Sequence, residues 1–291
     1  MRTVLITIIL LIVLFFTFMA GVGSGLLLSG MDGISPGDKV AVLKIEGVIL
    51  DSQIYLESIK KIKEDDNFKA VVVRIDSPGG AVAPSQEIYE ELKSLNETIP
   101  VISSIGTVGA SGGYYIAVGT QKIYANPGSI TGSIGVIAQF VNYGQLLDWA
   151  KVDVEVIKSG QYKDVGSPFR EMNEADREYI QELIDNVYDQ FRQAVSDARD
   201  IKEPELDLIS DGKIFTGEQA KKLKLIDEIG SISDAISEAG KLGGLGEEPD
   251  VIYFPKKRSQ LLELLFSKTN LGELTKFPIK VKFGLYYLTN L

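Results

Sequence analysis

The 291-residue chain contains no histidine and no cysteine. Without histidine there is no Ser-His-Asp triad and no Cys-His pair, and without either residue there is no His/Cys zinc site. Without cysteine there is no disulfide framework. Any catalysis falls to Ser, Thr, Lys, Tyr, Asp or Glu, with no metal and no cofactor expected. Basic residues are also scarce: 30 Lys plus Arg stand against 40 Asp plus Glu, a formal charge of −10. Phosphate contacts dominate nucleic-acid affinity, so an acidic chain with no extended basic stretch is read as having no nucleic-acid partner. Its 45% apolar and 24% charged residues describe a folded chain rather than a disordered one.

Charge is missing altogether from one segment. Arg2 is the only charged residue before Asp32, and Val4 to Leu28 is almost wholly apolar. As a helix those positions would run about 37 Å, enough for a hydrocarbon core of about 30 Å. A cleaved leader has a shorter apolar core, of roughly 7–15 residues. Phe18-Met19-Ala20 and Val22-Gly23-Ser24 are passable cleavage sites, so a leader stays open beside the preferred reading, an uncleaved anchor over 1–31. Arg2 before the run and Asp32 and Asp38 after it place the N-terminus inside by the positive-inside rule. The expectation is a single-pass protein of the cell membrane with its bulk outside the cytoplasm. The lack of cysteine fits that location.

The rest of the chain alternates strand-like and helix-like runs, which predicts a layered α/β fold. The strands expected are Val40–Ile45, Ala70–Ile75, Val101–Ile105, Lys122–Ala125, Gly135–Val141 and Val152–Ile157. The helices expected are Gln53–Asp65, Pro84–Leu95, Tyr143–Ala150 and Asn173–Arg199, with two or three short ones between Glu203 and Gly246. Pro84 suits a first helical turn, where no amide donor is missed. Ile180, Leu183, Ile184, Val187, Phe191, Ala194, Val195 and Ala198 fall at helical spacing, and Asn173 with Asp176 resembles a capping box. The tail from Glu247 carries Lys256-Lys257-Arg258, an amphipathic Leu261–Phe266 and an apolar Phe283–Leu288. It reads as edge structure or a membrane-facing flap, with no chemistry assigned. Asn96-Glu97-Thr98 fits a glycosylation acceptor, a triplet that chance often supplies.

Three glycine-rich segments follow strands: Asp76-Ser77-Pro78-Gly79-Gly80, Gly109 to Tyr115, and Thr131-Gly132-Ser133-Ile134-Gly135. Glycine lets a ligand approach backbone amides, and strand ends are where α/β folds place their sites. None has dinucleotide or phosphate-loop spacing, so nucleotide binding drops out. Ser111 lies between small residues at an expected strand-to-helix turn, where a hydroxyl can be presented with amides beside it. Without histidine its base is a lysine, and Lys163 is the candidate. An ordinary lysine has a pKa near 10.4. Lowering it by about three units costs about 4 kcal/mol, which desolvation can supply. A carboxylate at the amine would oppose that, so Asp164 must point away. By themselves these residues leave two readings open. A serine in a glycine-rich turn is more often structural, and the sequence around Lys163 also suits a solvated loop.

Taken together the segments resemble signal peptide peptidase A, in its short form with an N-terminal anchor. The resemblance runs from about Val40 to Gly230. It rests on Asp76 to Gly80, Ala110 to Tyr115, Thr131 to Val136, Lys158 to Asp164, Ser167 to Met172 and Gly212 to Ala220, in that order. It implies a Clp protease/crotonase-type fold over 32–246, with 247–291 an extension of unknown role. It also implies a serine endopeptidase with a Ser/Lys dyad that degrades membrane signal peptides and other apolar peptides. The nucleophile then falls on Ser111 and the base on Lys163. Ser133 orients the lysine amine, Gly80 supplies an oxyanion amide, and Gly112 is inferred as the second donor by analogy with the fold. Family members form rings whose sites are shared between subunits, and their groove prefers apolar and small side chains. The rivals are a stomatin-operon-type membrane protease, a crotonase-type acyl-CoA enzyme and an inactive scaffold of the same fold.

Overall fold

Two nearly uninterrupted apolar runs form the middle of the sheet. Lys39–Glu46 is strand β1 and Phe68–Ser77 is β2, paired in parallel from Lys39 opposite Phe68 to Glu46 opposite Asp76. A parallel pair needs a crossover, and the helix Gln53–Lys63 supplies it. Successive side chains of each strand point to opposite faces. Leu43, Ile45, Val73 and Ile75 join one core with Ile59, Ile62, Ile88 and Leu92. Val40, Val42, Ala70 and Val72 join a second core with Ala235 and Ala239 of the helix Ile232–Leu242. A sheet covered on both faces explains why these strands read as continuous apolar runs rather than alternating ones.

The computed structural model describes residues 12–19, 37–255 and 285–288. The chain divides into two units, Met1–Gly37 and Asp38–Leu291. Residues 12–19 are helical. Most of the expected 1–31 anchor lies outside the described residues, as do Lys256-Lys257-Arg258 and Leu261–Phe266. Among the described residues no helix is long and apolar enough to cross a membrane.

The second unit is a mixed α/β structure around an eight-stranded, mostly parallel sheet. Short β3 (Gly79–Ala81) and the helix Val82–Asn96 lead into β4 (Val101–Ala110). On its far side from β2, β4 pairs first with β5 (Lys122–Ala125) and then with β6 (Ile130–Gly132). β7 (Ile214–Thr216) runs antiparallel beside β6, β8 (Glu228–Ile229) pairs with β5, and β9 (Val251–Phe254) closes the edge at β1. A separate antiparallel pair joins β3 to β10 (Tyr286–Leu288). The helix Glu174–Arg199 begins at Asn173, whose side chain and that of Asp176 form the expected capping box.

Two expected strands are corrected. Over Gly135–Val141 the one bridge among the described residues joins Ile137 to Tyr286, and Val152–Ile157 has no regular structure and is exposed throughout. Both have the right side-chain pattern, but a strand also needs a neighbour with free amides and carbonyls. Among the described residues none lies along Val152–Ile157. Strands β7 and β8, by contrast, are too short for their sequence to announce.

Leu43 is fully buried in the larger core. Leu43→Ala is expected to cost about 2–5 kcal/mol, read as a lowered denaturant midpoint with an unchanged slope.

Candidate active site

Ser111 stands where β4 ends and the short helix Gly112–Ala117 begins, with φ 52° and ψ −118°. A positive φ is costly for a residue with a side chain and persists only where its surroundings impose it. Here they do. The Ser111 amide donates to the Gly132 carbonyl (2.8 Å), and the Tyr115 amide donates to the Ser111 carbonyl (2.8 Å). The helix behind is pinned by fully buried Tyr114, whose hydroxyl donates to the Leu225 carbonyl at 2.7 Å. Ser111 itself is only 1% exposed.

The backbone of Gly112 touches the Gly79–Gly80 turn. A Cβ on Gly112 would stand 2.6 Å from Ser85 Oγ, 3.2 Å from the Gly80 amide nitrogen and 3.3 Å from Gly79 Cα. Gly80 is equally confined, since a Cβ there would meet the Ile49 carbonyl at 2.0 Å. Ile49 holds the turn in place: its amide donates to Gly79 O (2.9 Å) and its carbonyl accepts from Ala81 N (2.7 Å). Ser77 Oγ accepts from the Gly79 amide at 3.1 Å. Two backbone segments far apart in sequence are thus brought side by side next to Ser111.

Ser133 follows the neighbouring strand end. Ala110 and Gly132 are in register, so Ser111 and Ser133 leave adjacent strands at the same level. Ser133 also has a positive φ, 54°, and its amide donates to the Lys213 carbonyl at 2.6 Å. It is nearly buried and borders a groove of about 480 Å³ with Ile137, Gln181, Asp185 and Tyr188.

Lys163 is not brought to this cluster within the single chain. It lies exposed on a 3-10 turn, Gln161–Asp164, and among the described residues no hydrogen bond joins its amine to Ser111 or Ser133. The turn is nevertheless held firmly. Arg170 donates through Nε and Nη2 to the Asp164 carboxylate (2.9 Å each) and through Nη1 to Asp176 at the start of the long helix. Lys158 Nζ donates to Asp164 as well (2.6 Å). The Asp164 carboxyl is held well below the usual carboxylate range, first by Arg170 and then by Lys158. The Arg170 hydrogen bond lowers Asp176 too. Asp164 therefore serves Arg170 and Lys158, not its neighbour Lys163. Sequence reading singled out neither Arg170 nor this clamp; its only trace is an arginine six residues from each of two aspartates.

A confined hydroxyl beside converging backbone amides is the geometry of acyl transfer. The comparisons agree with that class. Residues 93–246 match the model of Peptidase family S49. The protein slr0021 of Synechocystis sp., provisionally named a protease, is 44% identical over 223 residues, covering 75% of this chain and 80% of its own. A protein of Enterococcus faecium, provisionally named signal peptide peptidase SppA, is 36% identical over 217 residues, covering 70% and 63%. Among solved structures, a serine-to-alanine mutant of the 1510-N membrane-bound stomatin-specific protease covers 76% of this chain and 99% of its own, with TM-score 0.47 and 18% identity. That likeness is too remote to bear on activity. The chain belongs to peptidase family S49, among the signal peptide peptidase A relatives that its motifs resemble, and is a serine peptidase.

Gly112→Ala is expected to lower kcat/KM at least about tenfold in a folded protein, because a Cβ 2.6 Å from Ser85 Oγ and 3.2 Å from the Gly80 amide nitrogen must push the turns beside Ser111 apart, and a shift of about 1 Å at a reacting centre can cost about 10²-fold. Ser85→Ala in the same chain removes the nearest obstructing oxygen and should restore part of the loss in a peptide-cleavage assay. The acid side of stability is a second expectation. A carboxyl lowered on folding stabilises above its ordinary value of 3.8, and that stabilisation fades as pH falls below it. Asp164→Asn should therefore flatten the decline of melting temperature with acidification below pH 3.8.

Proposed function

We propose that the protein is a membrane-anchored serine endopeptidase of the Clp protease/crotonase-type fold that cleaves signal peptides and other apolar peptides with a Ser111/Lys163 dyad. The observation that carries this reading is the convergence of Ser111 with the Gly80 and Gly112 backbones at the end of β4. Ser111 Oγ attacks the peptide carbonyl while a neutral Lys163 amine takes its proton, oriented by the Ser133 hydroxyl. The Gly80 and Gly112 amides meet the oxyanion, a contribution of about 3–4 kcal/mol per donor. The ammonium then returns the proton to the departing amine, and water repeats the sequence on the acyl-enzyme.

The exposure of Lys163 supports a site completed between subunits of a ring. The stretch from Val141 to Ile157 that precedes Lys163 also exposes large apolar side chains, Trp149 by 80% and Ile157 by 93%, with Val141 and Leu146 exposed as well. A subunit packed there would desolvate an amine that a single chain leaves in water. It would also give Val152–Ile157 the strand neighbour it lacks. The apolar run from Val4 to Leu28 supports anchoring in a membrane, and a relative named for signal peptide cleavage supports the substrate class.

Ser111→Ala and Lys163→Ala should each lower cleavage of a fluorogenic apolar peptide by on the order of 10⁴ or more, with the fold retained by circular dichroism. Near-full activity in either variant would refute the dyad. Mixed oligomers of the two inactive variants should regain activity. Wild-type rate should climb with pH along a single amine titration.

A further inference from the structure

Strand β4 loses step with β2 shortly before it reaches Ser111. From Val71 opposite Val101 to Ile75 opposite Ile105 the two strands match residue for residue. The next pair is Ser77 opposite Gly109, so β4 uses four residues where β2 uses two. Gly106, Thr107 and Val108 form the bulge that takes up the excess. Across the same stretch β4 changes its neighbour on the other side. Ile102–Ile105 pair with β5, and Val108–Ala110 pair with β6. Bulges re-aim the chain that follows them and are common beside active sites.

A bulge leaves backbone groups without ladder partners, and those groups need others. Side chains on both flanks supply them. On the β2 side the Val108 amide donates to Asp76 Oδ1 at 3.1 Å. On the β6 side Ser129 Oγ donates to the Gly106 carbonyl at 2.5 Å, and Thr131 Oγ1 donates to the Gly109 carbonyl at 2.7 Å. Ser129 and Thr131 are buried and Asp76 is half-buried. The main chain of Asp76 is fixed as well, its carbonyl accepting from the Gly47 amide at 3.0 Å. Gly106 leaves room for this closure, since a Cβ there would stand 2.9 Å from Arg74 Nη2 and 3.0 Å from Asp76 Oδ2.

The bulge decides where Ser111 stands. Beyond it Ala110 lies opposite Gly132, and the Ser111 amide donates to the Gly132 carbonyl at 2.8 Å. That register sets Ser111 level with Ser133 and lays Gly112 against Gly79 and Gly80. Drawing the two extra residues into the ladder would slide position 111 by about 7 Å, at about 3.3 Å per residue. Loosening the bulge acts in the same direction by a smaller amount. A shift of about 1 Å at a reacting centre can cost about 10²-fold in rate.

We propose that Asp76 is a positioning residue for Ser111, with Thr131 as its counterpart on the opposite edge of β4: together they hold the bulge that sets the nucleophile against the Gly79–Gly80 turn. This deepens the peptidase reading and rests on Ser111 being the nucleophile. Asp76 acts through the Val108 amide. Its partner is a neutral donor, so what it contributes is an acceptor oxygen rather than a negative charge.

The test compares Asp76→Ala, which removes the acceptor, with Asp76→Asn, which keeps one. In full-length protein cleaving a fluorogenic apolar peptide, Asp76→Ala should lower kcat at least about tenfold and leave KM within about threefold. Asp76→Asn should keep kcat within about threefold of wild type. Leu43→Ala, destabilised in the core of β1, should keep wild-type kcat below its unfolding transition, which separates positioning from lost stability. Hydrogen exchange followed by mass spectrometry gives a measure that needs no turnover. The Val108 amide should exchange at least about tenfold faster in Asp76→Ala than in wild type or Asp76→Asn. Wild-type kcat in Asp76→Ala would overturn the proposal, as would an equal fall in Asp76→Asn or in Leu43→Ala. Should Asp76→Ala not fold, Thr131→Val and Thr131→Ser decide in its place: a fall in kcat with valine alone supports the held bulge, and equal rates refute it. Full activity in Ser111→Ala would instead sink the nucleophile assignment, and the exchange rates at Val108 do not depend on that result.

Discussion

The site depends on a close approach between two backbones that leaves no room for a side chain. Gly112, just past the end of β4, lies against Gly79 and Gly80, just past the end of β2. Any Cβ at these three positions would collide with backbone or with Ser85. The contact exists because β2 and β4 are neighbours in a parallel sheet whose strands end on the same side, so their following turns meet. Sheet order thereby sets the separation of Ser111 from the amides beside it. The positive φ of Ser111 is the local cost of turning the chain within that space.

A second constraint is electrostatic. The segment bearing Lys163 has little packing of its own within the single chain, yet its turn is fixed by one guanidinium shared between Asp164 and Asp176. Arg170 suits that place because its planar fork can serve two carboxylates at once and stays charged at any working pH. The clamp spends the carboxylate nearest Lys163 on other partners.

The tail strand joins these themes. Residues 285–288 lie about two hundred positions from β3, yet they complete its free edge and fill the aromatic slot between the Ser111 helix and the long helix. A strand edge with open amides can accept a further strand. In this chain the same edge is met by its own sequence. The residues around that slot, Tyr115, Val187 and Phe191, belong to two helices far apart in sequence.

Local signals made much of this legible. The buried runs of β1, β2 and β4, the helical stripe from Ile180 to Ala198 and the Asn173/Asp176 cap are written in residue type and spacing within one short segment, which a sequence displays directly. The glycines at 79, 80 and 112 marked where backbones crowd, and the lack of histidine narrowed the base to lysine. Other features depend on partners that sequence spacing does not encode. The apolar run Gly135–Val141 and the alternating Val152–Ile157 suited strands, but pairing needs an adjacent edge, and among the described residues the one bridge over these segments is at Ile137. The apolar stretch that contains Tyr286–Leu288 read as edge structure or a flap, and Tyr286–Leu288 form a ladder with Gly79–Ala81. The sequence by itself determined which residues could do the chemistry, because that follows from side-chain type and backbone freedom. Only the tertiary structure decided which of them meet, because a meeting depends on strand order and edge availability, properties of the whole chain rather than of any segment.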